Sequence, residues 1–384
     1  MNTEGGGSTS GLPSRYFRAS LVMSNLRTPL FQWHVDRKAR MVPFGGWEMP
    51  VQYTGIAAEH KAVRTAAGLF DVSHMARINF SGPDALNLLE LVFTNSVNTM
   101  KDGQVRYGLV CQEDGGILDD ILVYRWPYGF AAVVNAGNRE KILGWLERYK
   151  TGLNVDFADR TFATTMIAVQ GPKSVELVNG LFADDVTKLK YYYAAPTRYK
   201  DQPCVVSRTG YTGEDGFEVF VSNALGISIW EDFCNKGAMP CGLGSRDTLR
   251  LEAAMPLYGH ELNEAINPIQ AGLAWAVKLD KGNFIGRDAI QRVAKDSGKL
   301  PIRVGLEVEG TRAAREGSSI VAAENTTIGS VSSGSFCPWL GKSLAMGYID
   351  ARYSVPGTRL RIDVRGSMLN ATVVTLPFYS RPKK

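Results

Sequence analysis

The sequence predicts an α+β fold followed by a smaller, all-β C-terminal domain. From Thr28 to about Gly298, short strand-like runs alternate with amphipathic helical segments. The helical pattern stops after the polar stretch Lys295 to Pro301. Residues 302–378 then form many short alternating segments split by glycines and serines, which is typical of a small antiparallel barrel or sandwich.

The chain therefore divides into three parts. Residues 1–27 begin M-N-T-E-G-G-G-S-T-S-G-L-P-S and are expected to form a disordered tail. Residues 28–298 form the α+β region and residues 302–384 the all-β domain. At 384 residues the chain is long enough for two or three domains with substantial cores.

Within the α+β region, the spacing of apolar residues assigns individual elements. A period near 3.6 predicts helices over Ile56–Ala67 and Asn138–Tyr149. Short apolar runs predict strands over Met166–Val169, Pro203–Ser207 and Phe217–Val221.

Composition excludes several classes of protein. The 43 basic and 38 acidic side chains give a net charge of +5, too small and too dispersed for a nucleic-acid binder. No apolar run approaches the ~18 residues of a membrane span. Four histidines without metal-ligand spacing argue against a metal site. Five scattered cysteines without C-x-x-C fit buried thiols in a reducing compartment better than a disulfide framework.

The strongest functional signal is the stretch Cys111 to Trp126, C-Q-E-D-G-G-I-L-D-D-I-L-V-Y-R-W. Its D-G-G separates two extended runs and predicts a β-hairpin. Side chains alternate along a strand, so Asp119 and Asp120 are expected to face opposite sides of the sheet. In the alternative interpretation, both aspartates cap the turn or lie at a wet sheet edge.

The length of the hairpin turn decides which aspartate faces the tyrosines. A two-residue turn places Asp120 on one face with Tyr107, Leu122 and Tyr124. A three-residue turn would reverse this and put Tyr107 with Asp119. With the first arrangement, substituting Asp119 is expected to matter much less than substituting Asp120.

A second signal is S-R-T-G-Y-T-G-E-D-G-F-E-V-F-V, from Ser207 to Val221. Its glycines do not match a phosphate-binding loop, so a nucleotide site is not expected. Glu218 is out of phase with the apolar positions of the following strand and must face water or a polar ligand. A flat heterocycle with two parallel N–H donors would suit such a carboxylate.

A third signal is P-C-G-L-G-S-R-D-T-L-R-L-E, from Pro240 to Glu252. Ser245 is a plausible N-cap, which places Arg246 in the first helical turn, the unfavourable end of the helix dipole for a cation. Arg246 is easier to explain beside an anion or a carbonyl. The alternative is that it pairs with Asp247 or Glu252.

The motif G-L-F-D-V-S-H-M, from Gly68 to Met75, contains Asp71 and His74 at a spacing that could suggest a catalytic pair. No positioned nucleophile accompanies them. A helix cap or a structural hydrogen bond is the expected role.

Together these motifs resemble the T-protein family of the glycine cleavage system, the folate-dependent aminomethyltransferases. The resemblance rests on eight segments in order from Thr28 onward: F-G-G-W-E-M-P, F-D-V-S-H-M, G-G-I-L-D-D, V-V-N-A-G-N-R-E-K, I-A-V-Q-G-P, R-T-G-Y-T-G-E-D-G-F-E, G-L-G-S-R-D-T-L-R-L-E and S-G-S-F-C-P-W-L-G-K-S-L-A-M-G-Y. It implies a three-lobed fold, with two interleaved α+β lobes over residues 28–298 and a C-terminal antiparallel β-barrel.

The resemblance also implies the reaction and the site. The aminomethyl group on the dihydrolipoyl arm of the H protein gives up ammonia, and its one-carbon unit passes to tetrahydrofolate as 5,10-methylenetetrahydrofolate. The family's essential aspartate falls on Asp120. Glu218 and Arg246 are expected to contact the folate, and the residues expected in its pocket are Tyr107, Tyr124, Asn135 and Tyr211.

The family's biology gives further expectations. The H protein is a transient and generally acidic partner, with the P and L proteins as other members of the system; no metal, nucleic acid or membrane is expected. The location would be cytoplasmic in a bacterium and the mitochondrial matrix in a eukaryote.

Two related families fit less well. Folate-binding demethylases of the dimethylglycine or sarcosine type carry a large flavin domain, for which this chain has no room. The folate-binding protein of iron-sulfur cluster maintenance has the motif K-G-C-[YF]-x-G-Q-E, which this sequence lacks.

Overall fold

The computed structural model describes residues 25–296, 298 and 300–382. The helices are α1 Phe31–Asp36, α2 Ile56–Thr65, α3 Ala85–Val92, α4 Arg139–Tyr149, α5 Ser174–Val178, α6 Asn223–Asn235, α7 Leu243–Glu252 and α8 Arg287–Lys295. The strands are β1 Leu26–Arg27, β2 Arg40–Phe44, β3 Trp47–Gln52, β4 Gly68–Asp71, β5 Ala76–Ser81, β6 Val105–Cys111, β7 Ile117–Trp126, β8 Gly129–Val134, β9 Asp156–Asp159, β10 Thr164–Gln170, β11 Ala194–Tyr199, β12 Gln202–Ser207, β13 Gly216–Ser222, β14 Met239–Pro240, β15 Ile302–Val308, β16 Ser319–Val321, β17 Thr327–Cys337, β18 Lys342–Ile349, β19 Arg359–Val364 and β20 Ser367–Val374.

Two larger sheets organise the α+β region. One has six strands in the order β11-β12-β13-β10-β4-β14, and the other has five in the order β6-β7-β8-β5-β9. A small third sheet, β1-β3-β2, lies near the start of the described chain. Neighbours in the two larger sheets are often distant in sequence, so the lobes they form are interleaved along the chain.

A shared core joins the two larger sheets. Phe70 and Met166 from the six-stranded sheet pack in one cluster with Val105 and Val133 from the five-stranded sheet. Separate clusters cover the outer face of each sheet with helices. Residues between the sheets are therefore held from both sides.

The C-terminal domain is a closed antiparallel barrel in the order β15-β18-β17-β16-β19-β20, closed by pairing of β15 with β20. Alternate residues of these strands, among them Leu306, Ile320 and Ile362, fill its interior. The predicted α+β fold with a C-terminal antiparallel barrel is confirmed, and the sandwich alternative is wrong.

The predicted elements lie where the residue patterns placed them. Both predicted helices are present as α2 and α4, and all three predicted strands are present as β10, β12 and β13. Residues 1–24 of the predicted tail lie outside the described residues, whereas Leu26 and Arg27 pair in parallel with Trp47 and Glu48. Among the described helices, none has both the length and the apolar character that crossing a membrane requires.

Candidate active site

The turn between β6 and β7 has three residues, Glu113 to Gly115. The Gln112 N–H donates to the Gly116 carbonyl over 2.8 Å, and the Gly115 N–H donates to the Gln112 carbonyl over 3.0 Å. Gly115 has a φ of 88°, which costs little because glycine has no Cβ. Of the two turn lengths that the sequence left open, the structure has the three-residue turn.

A β-bulge at Leu118 compensates for the longer turn. Cys111 lies opposite Ile117, but the next pair is Val110 with Asp119, so Leu118 is an extra residue in β7. The bulge shifts the register by one residue and returns Asp120 to the face that carries Tyr107 and Tyr124. The predicted face assignment is confirmed, although for a different reason.

Asp120 is held by two donors. The Tyr107 hydroxyl donates to Oδ2 of Asp120 over 3.1 Å, and Nδ2 of Asn135 donates to Oδ1 over 2.9 Å. Burial raises the pKa of Asp120, while the hydrogen bonds from Tyr107 and Asn135 oppose that shift. The carboxyl group is thus fixed in direction and can take up a proton more readily than an exposed aspartate.

Asp119 faces away from the tyrosines and is fully buried. Its Oδ1 accepts hydrogen bonds from Nδ2 of Asn135 over 2.8 Å and from Nδ2 of Asn138 over 2.6 Å, and its Oδ2 accepts from the Asn135 N–H over 3.0 Å. Burial and the neighbouring Asp120 charge raise the pKa of Asp119. The two aspartates therefore share Asn135, which bridges them.

Asp120 opens into a cavity of about 470 Å³ between the two larger sheets. Six of the seven predicted site residues line it: Tyr107, Asp120, Asn135, Tyr211, Glu218 and Arg246. Other lining residues are mostly apolar or aromatic, including Val42, Phe44, Val51, Met75, Leu122, Val133, Met166, Leu243, Met255 and Leu273. An apolar cavity with a few converging polar groups is the usual form of a small-molecule site.

Tyr124 is the predicted residue that does not line this cavity. It is buried in the core between the two sheets, where its ring stacks on Trp126 with centroids 6.0 Å apart. Burial and the nearby Glu218 carboxylate raise its pKa. Tyr124 therefore supports the wall behind Glu218.

Glu218 projects from β13 away from the apolar face formed by Phe217 and Val219, as its phase predicts. It is 5% exposed, and the Thr209 hydroxyl donates to its Oε2 over 2.5 Å. Burial raises the pKa of Glu218, and the positive charge of Arg246 works in the opposite direction. Its carboxylate lies in the cavity wall and not in bulk water.

Helix α7, which carries Arg246, begins at Leu243 with Gly242 as its N-cap, so the prediction of Ser245 as N-cap is wrong. The Gly242 N–H donates to Oε2 of Glu59 over 2.8 Å, and the Ser245 hydroxyl donates back to the Gly242 carbonyl over 2.9 Å. A Cβ on Gly242 would lie 2.3 Å from the Val51 carbonyl carbon, so only glycine fits there.

Arg246 has no ion pair within the part of the chain that the structure describes. Asp247 pairs instead with Arg250, and Glu252 pairs with His60 and Arg64. The Nη1 atom of Arg246 is buried without a hydrogen-bond partner. A buried guanidinium nitrogen without an acceptor is costly, which indicates that a ligand supplies one.

Asp71 has the structural role expected of it. It accepts from the Thr28 hydroxyl over 2.6 Å and from the Ser73 N–H over 2.9 Å, and it lies 2.9 Å from Nε2 of His34. His74, in contrast, lines the cavity with its Nδ1 unpaired. Burial lowers the pKa of His74 to about 3, so the ring is neutral.

Sequence reasoning missed Trp275 and Tyr192, which also line the cavity. Trp275 is 60% exposed, and its ring stacks on Tyr107 with centroids 5.3 Å apart. An exposed tryptophan on a cavity-lining tyrosine marks the mouth of the cavity. The sequence carries no periodic signal there because Trp275 lies in a short 3-10 turn, Ala274–Ala276.

The described residues contain no cluster of three or more His, Cys, Asp or Glu side chains able to hold a metal ion. The polar groups that line the cavity include an oriented carboxyl group, a second buried carboxylate and an unpaired guanidinium. They can orient a heterocycle and stabilise positive charge that develops near Asp120.

Comparisons with known proteins match one family along nearly the whole chain. The family model for the GCVT N-terminal domain matches residues 30–281, and that for the glycine cleavage T-protein C-terminal barrel domain matches residues 303–380. The chain is 45% identical over 370 residues to an aminomethyltransferase of Symbiobacterium thermophilum, covering 93% of this chain and 98% of that one. It is also 45% identical over 360 residues to an aminomethyltransferase of Herpetosiphon aurantiacus, covering 93% and 99%.

A solved structure of the same family has the same fold as this chain. The crystal structure of glycine cleavage system aminomethyltransferase T from Bartonella henselae superposes with a TM-score of 0.87 at 32% sequence identity. The match covers 92% of this chain and 98% of that one.

Proposed function

Because the chain belongs to the glycine cleavage T-protein family of aminomethyltransferases, we propose that the cavity around Asp120 is where it transfers a one-carbon unit from aminomethyl-loaded H protein to tetrahydrofolate. In this reaction the carbon–nitrogen bond to ammonia and the carbon–sulfur bond to the lipoyl arm break. Two new carbon–nitrogen bonds form to the folate. One folate N–H proton goes to the departing ammonia and the other to the lipoyl sulfur, which balances the products.

The observation that carries this proposal is the position of Asp120. Its carboxyl group opens into the cavity, and Tyr107 and Asn135 fix its direction. We assign Asp120 to orient the folate at its reacting nitrogen and to stabilise the positive charge that develops as ammonia leaves. Its raised pKa also suits a group that takes up a proton during turnover.

Glu218 and Arg246 fit a folate head group. The Glu218 carboxylate can accept two parallel N–H bonds from the ring, and the unpaired Nη1 of Arg246 can donate to a ring oxygen. Arg246 then gains an acceptor for the Nη1 atom that has no partner among the described residues, and Glu218 gains donors in addition to the Thr209 hydroxyl. Tyr211 packs against Arg246, with its ring centroid 4.9 Å from the guanidinium carbon, and the aromatic rings around the cavity exclude water.

We expect the lipoyl arm of the H protein to enter at the mouth marked by Trp275, because this opening lies beside Tyr107 and therefore close to Asp120. The P and L proteins would act as the other members of the system. The relatives named above are bacterial, which favours the bacterial cytoplasm of the two expected locations.

The direct test mixes the purified protein with tetrahydrofolate and aminomethyl-loaded H protein and measures ammonia release. Asp120→Asn should lower turnover by about 10²- to 10⁴-fold while folate affinity, measured by calorimetry, is retained. Glu218→Gln should instead weaken folate binding by about 1–3 kcal/mol, because the amide can accept only one of the two N–H bonds.

This pair of variants separates catalysis from binding. An absence of folate-dependent ammonia release by the wild-type protein would refute the proposal. Full turnover by Asp120→Asn would leave the reaction in place but remove Asp120 from it.

A further inference from the structure

A segment after the last barrel strand returns to the α+β region. We call residues 376–382 the C-terminal strap. Leu376 and Phe378 pack with Leu251, near the end of α7, in a small cluster shared with the barrel. The strap is therefore anchored on the helix that carries Arg246.

Tyr379 is the residue of the strap with the most polar contacts. Its N–H donates to the Glu252 carbonyl over 2.8 Å, and its hydroxyl donates to Oε1 of Glu214 over 2.6 Å. The guanidinium carbon of Arg64 lies 4.0 Å from the centre of its ring, a cation–π distance. Tyr379 thus contacts α7, a loop and α2 at once.

The loop that Tyr379 contacts, residues 208–215 between β12 and β13, forms part of the cavity wall. Gly210 and Tyr211 of this loop line the cavity. On the opposite side of the loop, Nη1 of Arg64 donates to the Thr212 carbonyl over 2.7 Å and to Oε1 of Glu214 over 2.9 Å. The Arg64 side chain is completely buried, so these bonds lie in a medium where each is strong.

Arg381 gives the strap a second contact with the same loop. Its Nη1 lies 3.6 Å from Oδ1 of Asp215, and its guanidinium carbon lies 5.1 Å from the ring centre of Tyr191. Asp215 is also held by Arg208, over 2.6 Å. The two adjacent acidic residues at the end of the loop, Glu214 and Asp215, therefore both contact the strap.

We propose that Tyr379 is a positioning residue for substrate binding: through Glu214 and Arg64 it holds the 208–215 loop so that Tyr211 keeps its place in the cavity wall. The inference rests on the proposed function, since the bound molecule whose affinity it sets is tetrahydrofolate. The loop keeps other anchors, including the bond of 2.5 Å from the Tyr211 hydroxyl to the Pro256 carbonyl. Loss of Tyr379 should therefore weaken binding without abolishing it.

The first test compares Tyr379→Phe with the matched variant Tyr353→Phe. Each removes one tyrosine hydroxyl that donates to a glutamate, but the Tyr353 hydroxyl bonds Glu324 within the barrel. Tyr379→Phe should raise the dissociation constant for tetrahydrofolate by about 3- to 10-fold, and Tyr353→Phe should leave it unchanged. The KM for folate should rise in Tyr379→Phe while kcat changes little.

The second test uses the wild-type protein, so it does not depend on the variant folding. Coupling is reciprocal, so saturating tetrahydrofolate should slow hydrogen exchange at the Tyr379 amide. The reference amide is that of Asp350, which donates to the Ile328 carbonyl over 2.9 Å inside the barrel and should change less.

Wild-type protein that fails to bind tetrahydrofolate would refute the proposed function, and this inference with it. Wild-type protein that binds folate, with unchanged affinity in Tyr379→Phe and equal protection of both amides, would overturn the role of Tyr379 alone. Reduced affinity together with selective protection at Tyr379 would establish it.

Discussion

Asp119 and Asp120 are adjacent in sequence but have different surroundings. Asp120 opens into the cavity, whereas Asp119 is enclosed by the donors of Asn135 and Asn138. From the sequence, Asp119 is expected to matter little because it faces away from Tyr107. The contacts in the structure lead to a different expectation, because Asn135 donates to both carboxylates.

Asp119→Asn should lower both stability and turnover. The new amide group would place an N–H donor against the donors of Asn135 or Asn138, at a cost of about 1–3 kcal/mol, and the displaced Asn135 would release Asp120. Thermal unfolding and ammonia release would measure the two effects. Asp114→Asn is the control, because asparagine at that exposed turn position can still accept the bond of 2.9 Å from the Gly116 N–H. A wild-type melting temperature in Asp119→Asn would mean that its hydrogen bonds contribute no net stability.

The pH dependence of turnover should reflect the raised pKa of Asp120. If the ionised carboxylate is the active form, activity is lost as pH falls through that pKa, which lies above the ordinary value of about 4 for an aspartate. As pH is lowered, kcat/KM should therefore begin to fall at a pH closer to neutral than it would if Asp120 had the pKa of an exposed aspartate. Dividing wild-type rates by those of Asp120→Asn at each pH removes the titration of the substrates. A ratio that is constant across the acidic range would show that Asp120 does not titrate in catalysis.

At the scale of single elements, the β6–β7 hairpin sets the position of both aspartates. Its turn packs closely against residues 263–267, since the Ile117 N–H bonds the Ile266 carbonyl over 3.1 Å. A Cβ on Gly116 would lie 1.9 Å from the Glu264 carbonyl oxygen. The turn therefore has no room for a side chain at this position.

Gly116→Ala should destabilise the protein by about 1–3 kcal/mol, because backbone atoms must move to admit the methyl group. The shift would pass along β7 to Asp120, so turnover should fall as well. Gly144→Ala provides the opposite case. Gly144 lies inside α4, and no atom outside its own helix turn lies within 4 Å of the position that a methyl group would take. This substitution should stabilise the protein by about 0.5–1 kcal/mol. Melting temperatures that move in the same direction for both variants would contradict this account.

Element positions were largely predictable, because α2, α4, β10, β12 and β13 follow from the spacing of apolar residues. The register of the β6–β7 hairpin was not predictable in this way. Its three-residue turn and the bulge at Leu118 each shift the pairing by one residue, and only their sum leaves Asp120 beside Tyr107. Neither the length of the turn nor the bulge has a sequence signature strong enough to predict it. The start of α7 was also missed, because its N-cap is Gly242, whose N–H bonds the sequence-distant Glu59, and not Ser245.

At the scale of the whole molecule, the cavity wall combines both sheets, α7 and the segment around Trp275. The polar residues of this wall could be predicted from sequence motifs, because each of these residue types has a distinct chemical use. They could not show that Tyr124 lies behind the wall or that Trp275 covers Tyr107 at the mouth. Those facts depend on how separate elements pack and are not encoded in a local pattern.

The complex with the H protein should be electrostatically steered. This chain carries a net charge of +5 and the expected partner is acidic. Raising salt from about 0.05 to 0.5 M shortens the screening length to below about 5 Å and should raise the KM for H protein but not that for tetrahydrofolate. A KM for H protein that does not respond to salt would indicate an apolar interface.

We expect Arg315 to contribute to this steering, because it precedes Glu316, whose carboxylate lies 3.3 Å from the cavity-lining His260. Arg315→Gln should raise the KM for H protein and weaken its salt dependence. Arg352→Gln is the control, because Arg352 is also an exposed arginine of the barrel domain but its charge is paired with Asp350.

The contact between Tyr379 and the 208–215 loop has a consequence for the order in which the protein is made. Every cavity-lining residue lies between Val42 and Trp275, whereas Tyr379 follows the whole barrel in sequence. Domains generally fold in turn as the chain leaves the ribosome. A growing chain would thus have all the residues of the cavity before it has the strap, and it would gain its full affinity for folate only once the barrel has been synthesised and folded.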